Sequence, residues 1–200
     1  MRDFLGAVLP AQGPYRLLQF FSGRKPVTRW ADTLDGLSEL AESVAGKTDI
    51  YFGTASYKDA SSGEADNVRL NKALRLDIDA GETKWAKHKG EGVYRTQREA
   101  LLALKDFTSA TRLKPSYILS SGTGLHIYYV LEEELAPVRW REYAARLHEL
   151  CTVSSLQVDS TVTQDVTRIL RVPGTLHKEG GTVRVLAGIG APISLETLDS

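Results

Sequence analysis

Apolar and polar positions alternate with a period of two in several short runs of this chain, and recur every three to four residues in longer ones. Residues 15–21 (YRLLQFF) are aromatic and apolar, follow Gly13-Pro14 and precede Ser22-Gly23, which predicts a strand. Asp32 or Thr33 caps a predicted helix running to about Ala45, with Leu34, Leu37, Leu40, Ala41 and Val44 on one face. Residues 50–56 predict a second strand and 59–66 a polar loop. In residues 74–79, Leu74, Leu76 and Ile78 alternate with Arg75, Asp77 and Asp79, the pattern of a strand with one buried face. Residues 80–92 read as a polar loop, and 96–110 as a helix with Ala100, Leu101, Leu104 and Phe107 inward. Residues 116–121 and 125–131 flank Gly122-Thr123-Gly124, which predicts a hairpin. Pro137 opens a helix to about Cys151. A loop or short strand at 156–163, strands at 169–172 and 183–186, and a helix beginning near Pro192 complete the chain. Strand–helix–strand followed by hairpins with interspersed helices favours an α+β domain over a doubly wound sheet.

Composition narrows the partners. The 25 basic and 25 acidic residues cancel, so bulk attraction to a polyanion is absent and a local basic patch must supply it. One cysteine, Cys151, excludes an internal disulfide framework and a multi-cysteine zinc site. The apolar run 5–9 is too short for the core of a secretory signal, and nothing approaches a membrane span, so the expected compartment is the cytoplasm. The 200 residues fit one domain or two closely packed lobes.

Three segments carry chemistry. Asp77 and Asp79 share a strand face, roughly 7 Å apart along the chain. Paired carboxylates repel unless a cation sits between them, and hard divalent ions such as magnesium or manganese take carboxylate oxygens. The segment 120–129 (SSGTGLHIYY) offers two glycines whose exposed backbone N–H groups suit phosphate, hydroxyls on Ser121 and Thr123, and His126 at the start of a strand. His126, Tyr128 and Val130 share one face of that strand; Leu125, Ile127, Tyr129 and Leu131 share the other. The third segment brings Val158-Asp159, then Arg168, Arg171, His177 and Lys178, a run suited to phosphate. Asp165 is placed to pair with Arg168.

In this order the three segments resemble the archaeo-eukaryotic primase superfamily, which includes the primase-polymerases. Its aspartate pair on a hydrophobic strand is matched by Leu76-Asp77-Ile78-Asp79, its small-x-His motif by Gly124-Leu125-His126, and its hydrophobic-Asp motif by Val158-Asp159. The run Arg168-x-Leu170-Arg171-Val172-Pro173-Gly174-Thr175, and Tyr51-Phe52-Gly53 before the first motif, look like the phage, plasmid and CRISPR-associated types. The resemblance covers roughly residues 15–186. It implies a catalytic core with a sheet similar to an RNA-recognition motif (about 73–190), packed against a smaller N-terminal αβ unit (about 1–72) within a single catalytic domain. It implies template-directed nucleotidyl transfer to a primer 3′-hydroxyl, in phage or mobile-element replication. Asp77, Asp79 and Asp159 would hold two magnesium or manganese ions; Ser121, Thr123, Gly124, His126, Arg168, Arg171 and His177 would contact the nucleoside triphosphate. Lys178 is placed to substitute for His177. Implied partners are DNA template and primer, nucleoside triphosphates and a helicase domain or protein. Zinc, carried by many relatives, is not expected with one cysteine. The chain ends just after a helix begins, which suggests a fragment of a longer replication protein; primer extension is then the safer expectation than initiation.

Lys84, Lys87 and Lys89, with Trp85, form the expected contact with template or primer phosphates, and Tyr128 is a guess for a neighbour of the sugar. Gly46-Lys47-Thr48 ends like a phosphate-binding P-loop, but it follows a helix and precedes a strand, so Gly46 reads as a helix C-cap. His148 and Cys151 read as structural. Two other functions compete: a nucleotide-sugar glycosyltransferase, which also uses an aspartate pair but leaves the histidine and arginine segments unexplained, and an inactive nucleic-acid-binding initiator module of the same fold.

Overall fold

The computed structural model describes residues 1–176, 181–188 and 190–199; His177 and Lys178 lie outside the described residues. Among those residues two antiparallel sheets form the frame. The first is ordered β2-β1-β3-β8, from Tyr15–Phe20 (β1), Val27–Ala31 (β2), Asp49–Gly53 (β3) and Ile169–Arg171 (β8). The second is ordered β4-β5-β7-β6-β9, from Ser56–Tyr57 (β4), Val68–Ile78 (β5), Tyr117–Ser120 (β6), Leu125–Leu135 (β7) and Arg184–Gly188 (β9). The helices are Arg2–Val8 (α1), Leu34–Val44 (α2), Glu82–Lys87 (α3), Gln97–Thr111 (α4), Pro137–Val153 (α5), Ser160–Thr163 (α6) and Leu195–Asp199 (α7). None is long and apolar enough to cross a membrane. The α+β class expected from the element order is the class observed.

The period-two pattern fixes what each face of the second sheet does. Leu74, Leu76 and Ile78 of β5 and Leu125, Ile127, Tyr129 and Leu131 of β7 join one core, under α4 and α5 with Leu104, Phe107 and Trp140. Burial of each such side chain contributes about 1.5–3 kcal/mol. Ala73 of β5 with Tyr128 and Val130 of β7 join a second core, shared with Leu17, Phe52 and Leu170 of the first sheet. That second core is where the two sheets meet. Helix α1 caps it: the Phe4 ring packs edge-on against Phe52, Tyr117 and Tyr128, with centroids 6.0, 5.4 and 5.1 Å apart.

Three local readings are corrected. Residues 80–92 are not simply a loop: they contain α3, with Gly81 at its N-terminus. The segment 156–163 ends in α6 rather than a strand, because the Asp159 side chain accepts from the Thr161 amide and caps a helical turn. Helix α1 and strand β2 were not expected; α1 lies in a stretch read only for a targeting signal, although Phe4, Leu5 and Val8 have helical spacing. Thr33 caps α2 by accepting from the Gly36 amide, and Gly46 follows with φ of +77°, the left-handed residue that ends the helix.

Candidate active site

The site opens where strand β5 ends. Antiparallel pairing sets Asp77 opposite His126 and Ile78 opposite Leu125, so carboxylate and imidazole share a face by register alone. Asp79 lies just beyond the strand. The Asp159 amide donates to the Asp77 carbonyl at 2.9 Å, which brings the third aspartate alongside. A cleft of about 850 Å³ is lined by Asp77, Asp79 and Asp159, by Ser121, Thr123 and His126, and by Arg168 and Arg171. The side chains predicted to act together therefore converge from four separate stretches of chain.

The turn between β6 and β7 is shaped to let backbone approach backbone. Gly122 has φ of +112°. A Cβ on Gly124 would lie 2.4 Å from the Ile78 carbonyl oxygen, so only glycine fits there. The Ser121 amide donates to the Gly124 carbonyl at 3.0 Å, closing the turn.

Charge is distributed unevenly across the cleft. Burial, and then the neighbouring Asp79 carboxylate, push Asp77 up to about 7. Lys84 of α3 reaches in to pair with Asp79. Burial raises Asp159, but its hydrogen bonds from the Thr161 amide (2.9 Å) and hydroxyl (2.6 Å), with Arg168, outweigh this and hold it below the usual carboxylate range. His126 Nε2 stands 3.9 Å from Asp77 Oδ1. That contact is not an ion pair: burial, then Arg171 and Arg168, lower the imidazole to about 3, so it is neutral at physiological pH.

Two arginines from the first sheet's side line the same cleft. The Arg168 carbonyl accepts from the Thr54 amide (3.0 Å) and hydroxyl (2.7 Å), which fixes the backbone entering β8. Upstream, the buried Arg75 guanidinium stacks on Trp140 at 4.5 Å and donates to the Asp165 carbonyl. Asp165 itself takes the Thr167 amide and hydroxyl, so the expected Asp165–Arg168 pair does not form. Neither Arg168 nor Arg171 has a carboxylate within ion-pair distance among the described residues. Arg171 lies over the Tyr51 ring at 4.9 Å.

Three solved structures share this architecture. The AEP domain of the cyanophage S-2L primase-polymerase superposes with a TM-score of 0.63 at 17% identity, over 93% of this chain and 87% of that one. The catalytic domain of primase RepB′ in complex with initiator DNA gives 0.59 at 10%, over 99% and 88%. The polymerase domain of Mycobacterium tuberculosis Ligase D in complex with DNA gives 0.55 at 18%, over 98% and 82%. The chain has the fold of an archaeo-eukaryotic primase-polymerase core. No family model and no curated protein matches its sequence.

Within this primase-polymerase fold some expected residues sit elsewhere. Tyr128 is buried in the second core against Phe4 and does not line the cleft. Lys84 turns to Asp79 instead of outward, and Lys89 does not line the cleft. Trp85 packs under Arg95 at 5.2 Å. Tyr51 lines the cleft beside Arg171, which the sequence signalled only through Tyr51-Phe52-Gly53. Gln97, whose amide nitrogen donates to Ser120 Oγ and to the Gly124 carbonyl, each at 2.9 Å, had no sequence signal, because nothing in a helix N-terminus announces its distant partner.

The donor set fits divalent cations. Asp77, Asp79 and Asp159 offer hard oxygen ligands, and burial with the adjacent Asp79 carboxylate holds Asp77 above the usual carboxylate range despite Arg168 and Lys84. Among the described residues no three His, Cys, Asp or Glu side chains are grouped so as to hold a metal ion as they stand; Asp79 is engaged by Lys84 and Asp159 by Thr161. Both contacts fall on Oδ1 of the carboxylate concerned.

Proposed function

We propose that the protein is a template-dependent nucleotidyltransferase that extends a primer 3′-hydroxyl with nucleotides. The observation that carries this reading is the lining of one cleft: three carboxylates, a neutral histidine, Ser121 and Thr123 of the glycine turn, and two arginines with no carboxylate within ion-pair distance among the described residues. Asp77, Asp79 and Asp159 are the residues that would hold magnesium or manganese, two ions in this reading. When bound, such ions supply Lewis acidity at the phosphates and lower the pKa of the attacking hydroxyl. Arg168 and Arg171 neutralise the triphosphate, and their planar forks fix its orientation. The backbone N–H groups of the Ser121–Gly124 turn and the hydroxyls of Ser121 and Thr123 take the remaining phosphate oxygens. His126, held neutral by its burial, offers an N–H hydrogen bond without bringing a proton that titrates at physiological pH. Lys87 on α3 and Lys89 just beyond it are the proposed phosphate contacts for primer or template, and DNA is the proposed polymer, as it is in the RepB′ and Ligase D complexes.

The test is extension of a labelled primed template with manganese and deoxynucleotides. Wild-type protein extends the primer, and Asp77→Ala lowers the rate by at least about 100-fold. An Asp77→Ala protein that extends at the wild-type rate overturns the assignment. Transfer of a sugar from a nucleotide sugar, with no extension, returns the glycosyltransferase reading; DNA binding with neither activity returns the inactive initiator module.

A further inference from the structure

A second cleft, of about 840 Å³, opens beside the first at the end of β1 and the start of β3. Its walls are aromatic: Phe20, Phe21 and Tyr51 line it, and the Phe20 and Tyr51 rings meet edge-on with centroids 4.9 Å apart. Phe21 is a phenylalanine left 37% exposed on this wall. Thr48 lines the floor, and its Oγ1 is buried with no hydrogen-bond partner, an uncommon state for a hydroxyl. Lys47 stands at the rim, its Nζ donating to the Ser43 carbonyl at 2.9 Å, and the exposed loop after Ser22 carries Arg24 and Lys25; among the described residues Asp49 is the one acid that lines the cleft.

Tyr51 belongs to both clefts. One face of the local structure therefore runs from the carboxylates, past Arg171 over Tyr51, into the aromatic cleft. The volume lies within the range of a small-ligand site and exceeds what one nucleobase needs. Aromatic faces that stack any base and cations at the rim for phosphates are the requirements for single-stranded nucleic acid; the Thr48 hydroxyl adds a hydrogen-bonding group without a partner.

We propose that this cleft binds an unpaired nucleotide of a nucleic-acid strand whose neighbouring residues occupy the candidate active site. The base stacks on Phe21 and Tyr51, its edge satisfies the Thr48 hydroxyl, and Lys47 faces the phosphate. Asp49 accepts from an exocyclic amino group, which favours bases that carry one. The inference rests on the nucleotidyltransferase reading for the direction of the strand, but its binding test does not require turnover.

The experiment is fluorescence anisotropy of a labelled 20-mer oligodeoxynucleotide with the full chain, in single-stranded and blunt duplex forms. Phe21→Ala weakens single-strand binding about tenfold, and Phe21→Tyr restores it, because a stacked base is lost and regained. Lys47→Ala lowers the salt slope of log affinity by about one. Stabilisation by manganese with a deoxynucleoside triphosphate, read as a shift in melting temperature, is unchanged in all three variants; its absence from wild type counts against the catalytic reading instead. Single-strand affinity unchanged in Phe21→Ala, or an equal loss for the blunt duplex, overturns the proposal.

Discussion

Gln97 donates from one amide nitrogen to both the Ser120 hydroxyl and the Gly124 carbonyl, and the same Ser120 oxygen accepts from the Gly122 amide at 3.4 Å. A single side chain on α4 thus ties down both ends of the turn proposed to take phosphate. Methionine matches its length and cannot make either bond. Gln97→Met is expected to raise the KM for the nucleotide about thirtyfold, with kcat within about twofold, since two hydrogen bonds at roughly 1 kcal/mol each are lost from a binding element. Steady-state extension kinetics at varied nucleotide concentration check this. A fall in kcat at constant KM means that Gln97 acts on the chemical step instead. The comparison with Tyr128 shows what side-chain type alone conveys. A tyrosine two residues beyond a motif histidine shares its strand face and reads as a ligand contact, yet the edge-on Phe4 ring covers it and places it in the core.

Strands β5 and β7 place the chemistry because their ends touch. Gly124 lies so close to the Ile78 carbonyl that Gly124→Ala must push the turn from β5, breaking the Ile78–Leu125 register that sets Asp77 beside His126. We expect a loss of about 2–4 kcal/mol in urea unfolding, at the severe end for a point substitution, together with weaker nucleotide binding. Gly6→Ala is the contrast: nothing lies within 4 Å of the added carbon, and alanine favours the interior of α1, so stability rises by up to about 1 kcal/mol. At this scale the sequence was most legible where burial is one-sided. The alternation in 74–78 and 125–131 assigned the apolar residues of those stretches of β5 and β7 to their observed faces, while the first half of β5 and the end of β7 went unread. Helices α2, α4 and α5 were legible from their caps and apolar stripes. Elements set by tertiary contacts were not. Helix α3 is short and buries none of its residues, α6 is one turn held by the Asp159 cap, and β2 is an edge strand with an exposed pattern. The motifs brought Asp77, His126, Asp159 and Arg168 to notice, but the tethers of that constellation (Thr54, Arg75 and Gln97) carry no local signature.

Across the whole molecule the cleft joins two sheets of opposite character. The five-stranded sheet supplies Asp77 and His126, while the four-stranded sheet and the chain leading into it supply Arg168 and Arg171. The two sheets share one apolar core beneath, so ligand charge acts on the frame and not only on loops. Without ligand, the carboxylate wall opposes folding. The folded-state pKa of Asp77 is raised from 3.8 to about 7, so its ionisation costs stability as pH rises through that window; the cost is absent below about pH 4. Asp77→Asn removes the ionisation and keeps the shape. At pH 7.5, without divalent cations, Asp77→Asn should melt about 3–6 °C above wild type, the equivalent of roughly 1–2 kcal/mol in a domain of this size. Addition of manganese with a deoxynucleoside triphosphate should reverse the order, because wild type gains a counter-charge and the variant has lost a ligand. Thermal melts at pH 4 and 7.5, with and without both ligands, test the argument. A variant that melts below wild type in the metal-free buffer at pH 7.5 shows that the buried carboxylate is already compensated within the fold, and then cation binding does not draw on relief of that charge.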